Sequence, residues 1–98
     1  MLKVSVKEER ENQQVASVSL EVEGCLAGAW VSELEKCWQI ERARFGKNMY
    51  VRLTGVTFID EAGKGLLAEM FQEGVKLEGN GCMVRAILAE IMGQRIGT

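Results

Sequence analysis

Residues 51–67 read VRLTGVTFIDEAGKGLL, and this stretch decides the fold class. The apolar residues up to Ile59 predict a buried strand, and the two glycines and the leucines after the acidic pair predict the start of a helix. A strand that ends in a polar loop at a helix N-terminus is a common place for a binding or switching site. The candidate site is therefore this acidic loop, defined as Asp60, Glu61, Ala62, Gly63 and Lys64.

Upstream of this stretch, the pattern predicts an antiparallel strand pair followed by a helix. One strand alternates at Leu2, Val4 and Val6, and a second alternates at Ala16, Val18, Leu20 and Val22. The polar segment Glu8–Gln14 is expected to be a surface connection, and Glu23-Gly24 to end the second strand. A helix is expected between Ala27 and Phe45, ended by Gly46-Lys47-Asn48. Met49–Leu53 then reads as a short central strand covered on both faces.

Downstream, the pattern predicts a second helix, a turn, a last strand and a terminal helix. The apolar face of the second helix is assigned to Leu66, Leu67, Met70, Phe71, Gly74 and Leu77. Gly79-Asn80-Gly81 is the turn, Cys82–Ala86 the strand, and Ile87, Leu88, Ile91 and Met92 suit a short helix. The order β-β-α-β-α-β-α predicts one α/β domain over residues 1–98. Its sheet should be four-stranded and mostly parallel, with an antiparallel first pair and the helices packed on one face.

Composition narrows the classes of function. With 12 basic and 14 acidic residues, the formal charge is −2, which argues against nucleic acid as a partner. No apolar run is long enough to cross a membrane and the N-terminus has no signal-peptide pattern, so we expect a cytoplasmic protein.

Histidine is absent, which removes the commonest metal ligand and general base. Cys25, Cys37 and Cys82 are widely spaced and read as reduced thiols packed like small apolar residues.

The acidic loop also has a purely structural interpretation. Asp60 is a good N-cap, and Glu61 in the first helical turn would interact favourably with the helix dipole. The glycines Gly63 and Gly65 would let the helix approach the sheet closely. Residues 63–68 match the pattern G-x-G-x-x-A of dinucleotide-binding loops, but the two preceding carboxylates would repel a pyrophosphate, so no cofactor is expected.

The two tryptophans offer a second candidate surface. Trp30 and Trp38 lie two turns apart on the first helix and are expected to face roughly the same way. Packing in the core is the simpler role for both, and a partner surface is the alternative, because tryptophan is enriched at interface hot spots.

The chain resembles the STAS domain, the fold of bacterial anti-sigma-factor antagonists and of the cytoplasmic tails of sulfate transporters. The resemblance is clearest in Leu53-Thr54-Gly55-Val56-Thr57-Phe58-Ile59-Asp60, followed by Gly63 and the pair Leu66-Leu67, and the element order is similar over nearly the whole chain. The resemblance implies a protein-binding module. In the antagonist branch, the first serine after the motif's Asp is phosphorylated by an anti-sigma factor that is also a kinase, and docking is lost.

This sequence departs from the family pattern at that serine. The phosphoacceptor position is Glu61 and the next serine position is Ala62, so the loop carries a fixed charge and no hydroxyl. A carboxylate supplies about one negative charge, against about 1.5 to 2 on a phosphate. The segment after the last strand is also expected to be shorter than in relatives.

These observations predict a non-catalytic regulatory or scaffolding module without a conventional phosphoswitch. The expected partner is a protein, either an anti-sigma factor or kinase-like ATPase, and a homodimer is possible. The alternative, also implied by the resemblance, is the small cytoplasmic STAS subunit of a lipid-transport ABC system, which binds its ATPase and needs no phosphorylation. An enzyme is not expected, because the sequence offers no nucleophile–base pair, and neither a catalytic nor a metal site is assigned.

Overall fold

The computed structural model describes residues 1–45 and 48–96 and has the predicted order of elements. One sheet contains four strands in the order β1-β2-β3-β4, with β1 antiparallel to β2 and the other neighbours parallel. The α/β prediction is confirmed. The elements are β1 (Leu2–Glu11), β2 (Gln14–Leu26), α1 (Ala29–Phe45), β3 (Met49–Ile59), α2 (Glu61–Gln72), β4 (Lys76–Glu78) and α3 (Cys82–Ile96). Gly46 and Lys47 of the predicted helix stop lie outside the described residues.

All three helices pack on one face of the sheet, as the sequence predicts. The crossovers from β2 to β3 and from β3 to β4 step in the same direction along the sheet, so right-handed connections place both helices on the same side. Helix α1 contacts β2, α2 contacts β3 and β4, and α3 contacts α2. The inward-facing strand residues are accordingly buried: Val18, Leu20, Val22, Val51 and Leu53.

The other face of the sheet is open, so the prediction that the central strand is covered on both faces is wrong. Charged side chains form a row across this open face. Lys7 Nζ lies 3.2 Å from Glu21 Oε2, and Arg52 lies 4.0 Å from Glu21 and 3.3 Å from Glu78. The sequence Tyr50-Val51-Arg52-Leu53 alternates between the two faces, which is the pattern of a strand buried on one side only.

The first two strands are longer than predicted. Glu8–Gln14 is not a loop: β1 continues to Glu11, and β2 begins at Gln14. The turn contains only Asn12 and Gln13, both with positive φ (52° and 68°), as a tight hairpin turn requires. Polar residues fill these strands because the hairpin tip extends beyond β3, whose pairing with β2 starts at Val18.

The end of β2 also lies later in the chain than predicted. Glu23-Gly24 does not end β2, which continues to Leu26 through an irregularity between Gly24 and Cys25. Strand β3 includes the predicted Met49–Leu53 and continues to Ile59, where the apolar residues before the acidic pair predict its end. Gly24 has φ 101°, a conformation that disfavours side chains, and it re-aims the strand without ending it.

The predicted last strand is wrong. Cys82–Ala86 forms the first turns of α3, and the last strand is the short β4. Leu77, assigned to the apolar face of the second helix, is a buried residue of β4, and Gly74 follows the end of α2 with φ 94°. Gly74 and Leu77 fit helical spacing, which hid the alternation of buried Val75 and Leu77 with exposed Lys76 and Glu78.

The terminal segment is also longer than expected. Helix α3 covers Cys82–Ile96, so it begins before Ile87, where the short terminal helix is predicted to begin. Its buried residues, Val84, Ile87, Leu88 and Ile91, recur at helical spacing.

Candidate functional site

The acidic loop lies where the carboxyl ends of the parallel strands β2 and β3 meet. The two strands run side by side to Leu26 and Ile59, which are partners in the register. The backbone N–H of Asp60 donates to the carbonyl oxygen of Leu26 at 3.1 Å. The β2–α1 connection and the start of α2 are therefore held together at this edge of the sheet.

Asp60 joins these two segments through its side chain. Its Oδ1 accepts a hydrogen bond from the backbone N–H of Gly63 at 2.8 Å, which makes it the N-cap of α2. Its Oδ2 accepts a hydrogen bond from the backbone N–H of Gly28 at 3.0 Å. The N–H of Gly28, followed by that of Gly63, lowers the pKa of the Asp60 carboxyl below its usual 3.8, because both bonds favour the ionised form. Asp60 is thus a structural member of the loop.

Gly63 allows α2 to start close against the end of β2. A Cβ at this position would lie 2.6 Å from the carbonyl oxygen of Leu26 and 2.9 Å from Cγ2 of Ile59. Gly63 is buried, so its bare backbone faces the protein's own sheet. Gly65 differs, because a Cβ there would meet nothing within 4 Å.

Glu61 is the residue of the loop that is most available to a partner. Its side chain is 91% exposed, and Oε1 lies 3.4 Å from Nζ of Lys64. Ala62 is exposed, and Lys64 is half-buried. Exposed ion pairs of this type contribute little to stability. The predicted site residues therefore divide into Asp60 and Gly63, which shape the loop, and three residues that face solvent to different degrees.

A shallow cleft of about 200 Å³ lies beside Glu61, between α2 and α3. Small residues of α2, Gly65 and Ala68, line it together with Ile91 of α3. Charged groups border it: Glu61, Lys64 and Glu90. The cleft is open and has room for one or two side chains of a partner, and it gives the acidic loop an adjoining concave surface.

Two exposed aromatic residues lie near the loop; sequence reasoning missed Phe58 and named Trp30 only as part of an alternative partner surface. Phe58, two residues before Asp60, is 51% exposed, and Trp30, two residues after Gly28, is 41% exposed. Trp38 is fully buried, so the prediction that both tryptophans face the same way is wrong. Eight residues correspond to 800° of helical rotation, which leaves the two side chains about 80° apart. Val31, Leu34 and Trp38 form an apolar stripe at helical spacing, and the position of Trp30 beside this stripe was the available signal.

Within residues 1–45 and 48–96, the side chains assemble no cluster of three or more His, Cys, Asp or Glu residues that could hold a metal ion. Across the same residues, no helix has the length and apolar character needed to cross a membrane. The three cysteines are free thiols; Cys25 and Cys37 are half-buried, and Cys82 is exposed. Burial, followed by the nearby Glu41 carboxylate, raises the pKa of Cys37, so this thiol stays protonated at neutral pH.

The fold is shared with a solved structure of low sequence identity. That structure is an uncharacterized protein of the DUF3478 family from Shewanella loihica PV-4, which has a SpoIIAA-like fold. The TM-score is 0.56 at 12% identity, over 85% of this chain and 71% of that one. The SpoIIAA-like fold is the fold of STAS domains and anti-sigma-factor antagonists, so the resemblance is confirmed at the level of the fold. No protein-family model and no curated protein matches this chain.

Proposed function

We propose that this protein is a non-catalytic regulatory module that binds a protein partner through the acidic loop, with Glu61 as a permanent charge in place of a phosphoacceptor. The observation that carries the proposal is the contrast between Asp60 and Glu61. Asp60 fixes the loop through two backbone hydrogen bonds, whereas the neighbouring Glu61 side chain is 91% exposed. A loop that is held by such hydrogen bonds and presents one exposed charge is preorganised for binding.

The chemistry of the loop leaves no group for a conventional phosphoswitch. Residues 60–65 contain no hydroxyl. The nearest one, on Thr57, donates to the carbonyl oxygen of Gly24 at 3.3 Å and lies 3.9 Å from Cys25 Sγ. Glu61 gives the loop a carboxylate that needs no phosphorylation, with less charge than a phosphate and fewer acceptor oxygens. A partner of this module would therefore bind a surface whose charge does not depend on phosphorylation.

The surroundings of Glu61 favour a partner that combines a cation with apolar groups. Lys64 compensates Glu61 only weakly, because the pair is exposed to solvent. Phe58 and Trp30 add exposed aromatic area on the two chain segments that Asp60 joins. Aromatic residues dominate binding energy at protein interfaces, while rim charges mainly set the association rate.

A second candidate is the small subunit of a lipid-transport ABC system, bound to its ATPase. The loss of every hydroxyl in the loop favours it, because that role needs no phosphorylation. The open surface of α2 at Lys64, Gly65 and Ala68 is available to such a partner.

Affinity capture with mass spectrometry separates the two candidates. The baits are the wild type, Glu61→Lys and the control Glu11→Lys. The control reverses an exposed charge at the hairpin tip, which lies at the opposite end of β2 from the acidic loop. An anti-sigma factor or kinase-like ATPase that is retained by the wild type and the control, and lost with Glu61→Lys, supports the regulatory function. An ABC ATPase with the same pattern supports the transport function. A partner retained equally by all three baits contradicts the site.

A further inference from the structure

The outer edge of β1 is a free sheet edge over its whole length. Among the residues that the structure describes, β1 is the terminal strand of the sheet and pairs only with β2. Its main-chain groups alternate between the two sides. The carbonyl oxygen of Met1 accepts a hydrogen bond from the N–H of Cys25 at 2.9 Å, so odd-numbered residues of β1 direct their N–H and C=O groups toward β2. Even-numbered residues, including Val4, Val6 and Glu8, direct theirs toward the free edge.

The apolar row of β1 is incompletely covered. Val6 is paired in register with the fully buried Leu20, yet 42% of Val6 is exposed. Val4, opposite the buried Val22, is only half-buried. Helix α1 packs on β2, and across residues 1–45 and 48–96 none of the helices has substantial contact with β1. A neighbour at this edge would complete the cover over Val6 and satisfy the free main-chain groups.

The open-face charges of β1 are self-complementary when two copies pair around Val6. Lys3, Ser5, Lys7 and Glu9 alternate on the open face. Lys7 is paired with Glu21, whereas Lys3 and Glu9 have no ion-pair partner within the described part of the chain. If two copies of β1 pair antiparallel around Val6, Lys3 of each copy lies opposite Glu9 of the other. Opposite charges at such cross-strand positions are favourable.

The neighbouring registers are disfavoured by the same charges. A shift that centres the pairing on Ser5 places Lys3 of each copy opposite Lys7 of the other. A shift that centres it on Lys7 places the two Lys7 residues opposite each other. Like charges directly across a strand pair are destabilising. When the strands pair around Val6, the Val6 residues of the two copies also form a hydrogen-bonded pair, because the N–H and C=O of each face the free edge.

We propose that the protein forms a twofold symmetric dimer through β1, with antiparallel pairing centred on Val6 and with Lys3 of each copy opposite Glu9 of the other. The two sheets then become one eight-stranded sheet with all helices on the same side, because the twofold axis is perpendicular to the sheet. The acidic loops lie at opposite ends of the dimer and remain free. The proposed dimer does not depend on the proposed function.

Sedimentation equilibrium of the full chain, from micromolar to near-millimolar concentration, tests the strand pairing. The wild type should dimerise. Val6→Pro removes an N–H that faces the free edge and leaves the hydrogen bonds to β2 in place, so it should raise the dimer Kd by at least about tenfold. The control Val6→Ile keeps the N–H and the apolar contact and should remain dimeric. Circular dichroism checks that each variant is folded.

A charge swap tests the register without relying on Val6→Pro. Lys3→Glu and Glu9→Lys should each weaken the dimer about tenfold, since each sets like charges opposite each other at two symmetric positions. The double variant Lys3→Glu/Glu9→Lys should restore the wild-type Kd. A monomeric wild type over the whole range, a dimer that survives Val6→Pro, or a double variant as weak as the single ones would overturn the proposal.

Discussion

Asp60 accepts a hydrogen bond from the backbone N–H of Gly28, a residue 32 positions earlier in the chain. The bond joins the entrance of α1 to the entrance of α2, and the second oxygen of the same carboxylate caps α2. One side chain therefore determines the shape of the edge at which Glu61 is exposed. Residues that build the loop are thus distinct from residues that face solvent, and substitutions at the two kinds of position should have different effects.

Asp60→Ala should destabilise the protein more than Glu61→Ala does. The first change leaves the N–H groups of Gly28 and Gly63 without their acceptor, and a lost cap lowers the thermal midpoint of a domain of this size by roughly 5–10 °C. The second change removes only a helix-dipole interaction of less than about 1 kcal/mol. Thermal melts of both variants measure the difference. Equal midpoints would show that Asp60 is not the cap that holds the loop.

The stabilisation by Asp60 should disappear in acid. Because its pKa in the folded protein is below 3.8, the unfolded chain binds the proton more readily. The contribution is therefore fully present above pH 3.8 and is lost as the pH falls through the lower folded pKa. Urea unfolding of the wild type and Asp60→Asn between neutral and strongly acidic pH isolates this residue from the other carboxylates. The difference in unfolding free energy should shrink below about pH 4; a constant difference would contradict the assignment.

Gly63→Ala and Gly65→Ala should have opposite effects on stability. At Gly63 the new methyl group would overlap the carbonyl oxygen of Leu26, so α2 must shift, at a cost of about 1–3 kcal/mol. At Gly65 the methyl group enters open space in a helix and should stabilise it by up to about 1 kcal/mol. Denaturant unfolding compares the two directly. Destabilisation by both changes to the same extent would mean that close approach to β2 is not the reason for Gly63.

The wild-type loop should accept no phosphate from a STAS-directed kinase. Glu61→Ser supplies the missing hydroxyl on an exposed position and should be phosphorylated, which makes it the positive control. Intact-mass measurement after incubation with kinase and ATP gives the answer for both proteins. A phosphate on Thr57 of the wild type would show that the module can be switched after all.

The sequence predicts the order of elements because the strongest signals are local. Alternation at Leu2, Val4 and Val6 and helical spacing at Leu66, Leu67 and Met70 each specify an element by the face that it buries. The capping role of Asp60 was predictable for the same reason, since an N-cap bonds to residues close in sequence.

The predictions that failed concern features that depend on contacts between residues distant in sequence. The C-terminal half of the pattern is ambiguous, because Leu77 fits both the helical stripe of α2 and the alternation of β4, and only packing decides between them. The bond from Gly28 to Asp60 joins segments 32 residues apart, and no local pattern indicates it. Phe58 lies just beyond an irregularity in the pairing of β2 with β3, and spacing alone does not reveal its exposure.

The most direct test of the central claim is the association rate of the captured partner with the wild type, Glu61→Lys and Glu11→Lys at low and high salt. If Glu61 is the exposed charge of the binding surface, its reversal should slow association with a cationic partner by at least about tenfold at low salt, and less at high salt. Glu11→Lys should behave like the wild type. An association rate for Glu61→Lys equal to that of the wild type at low salt would contradict the account.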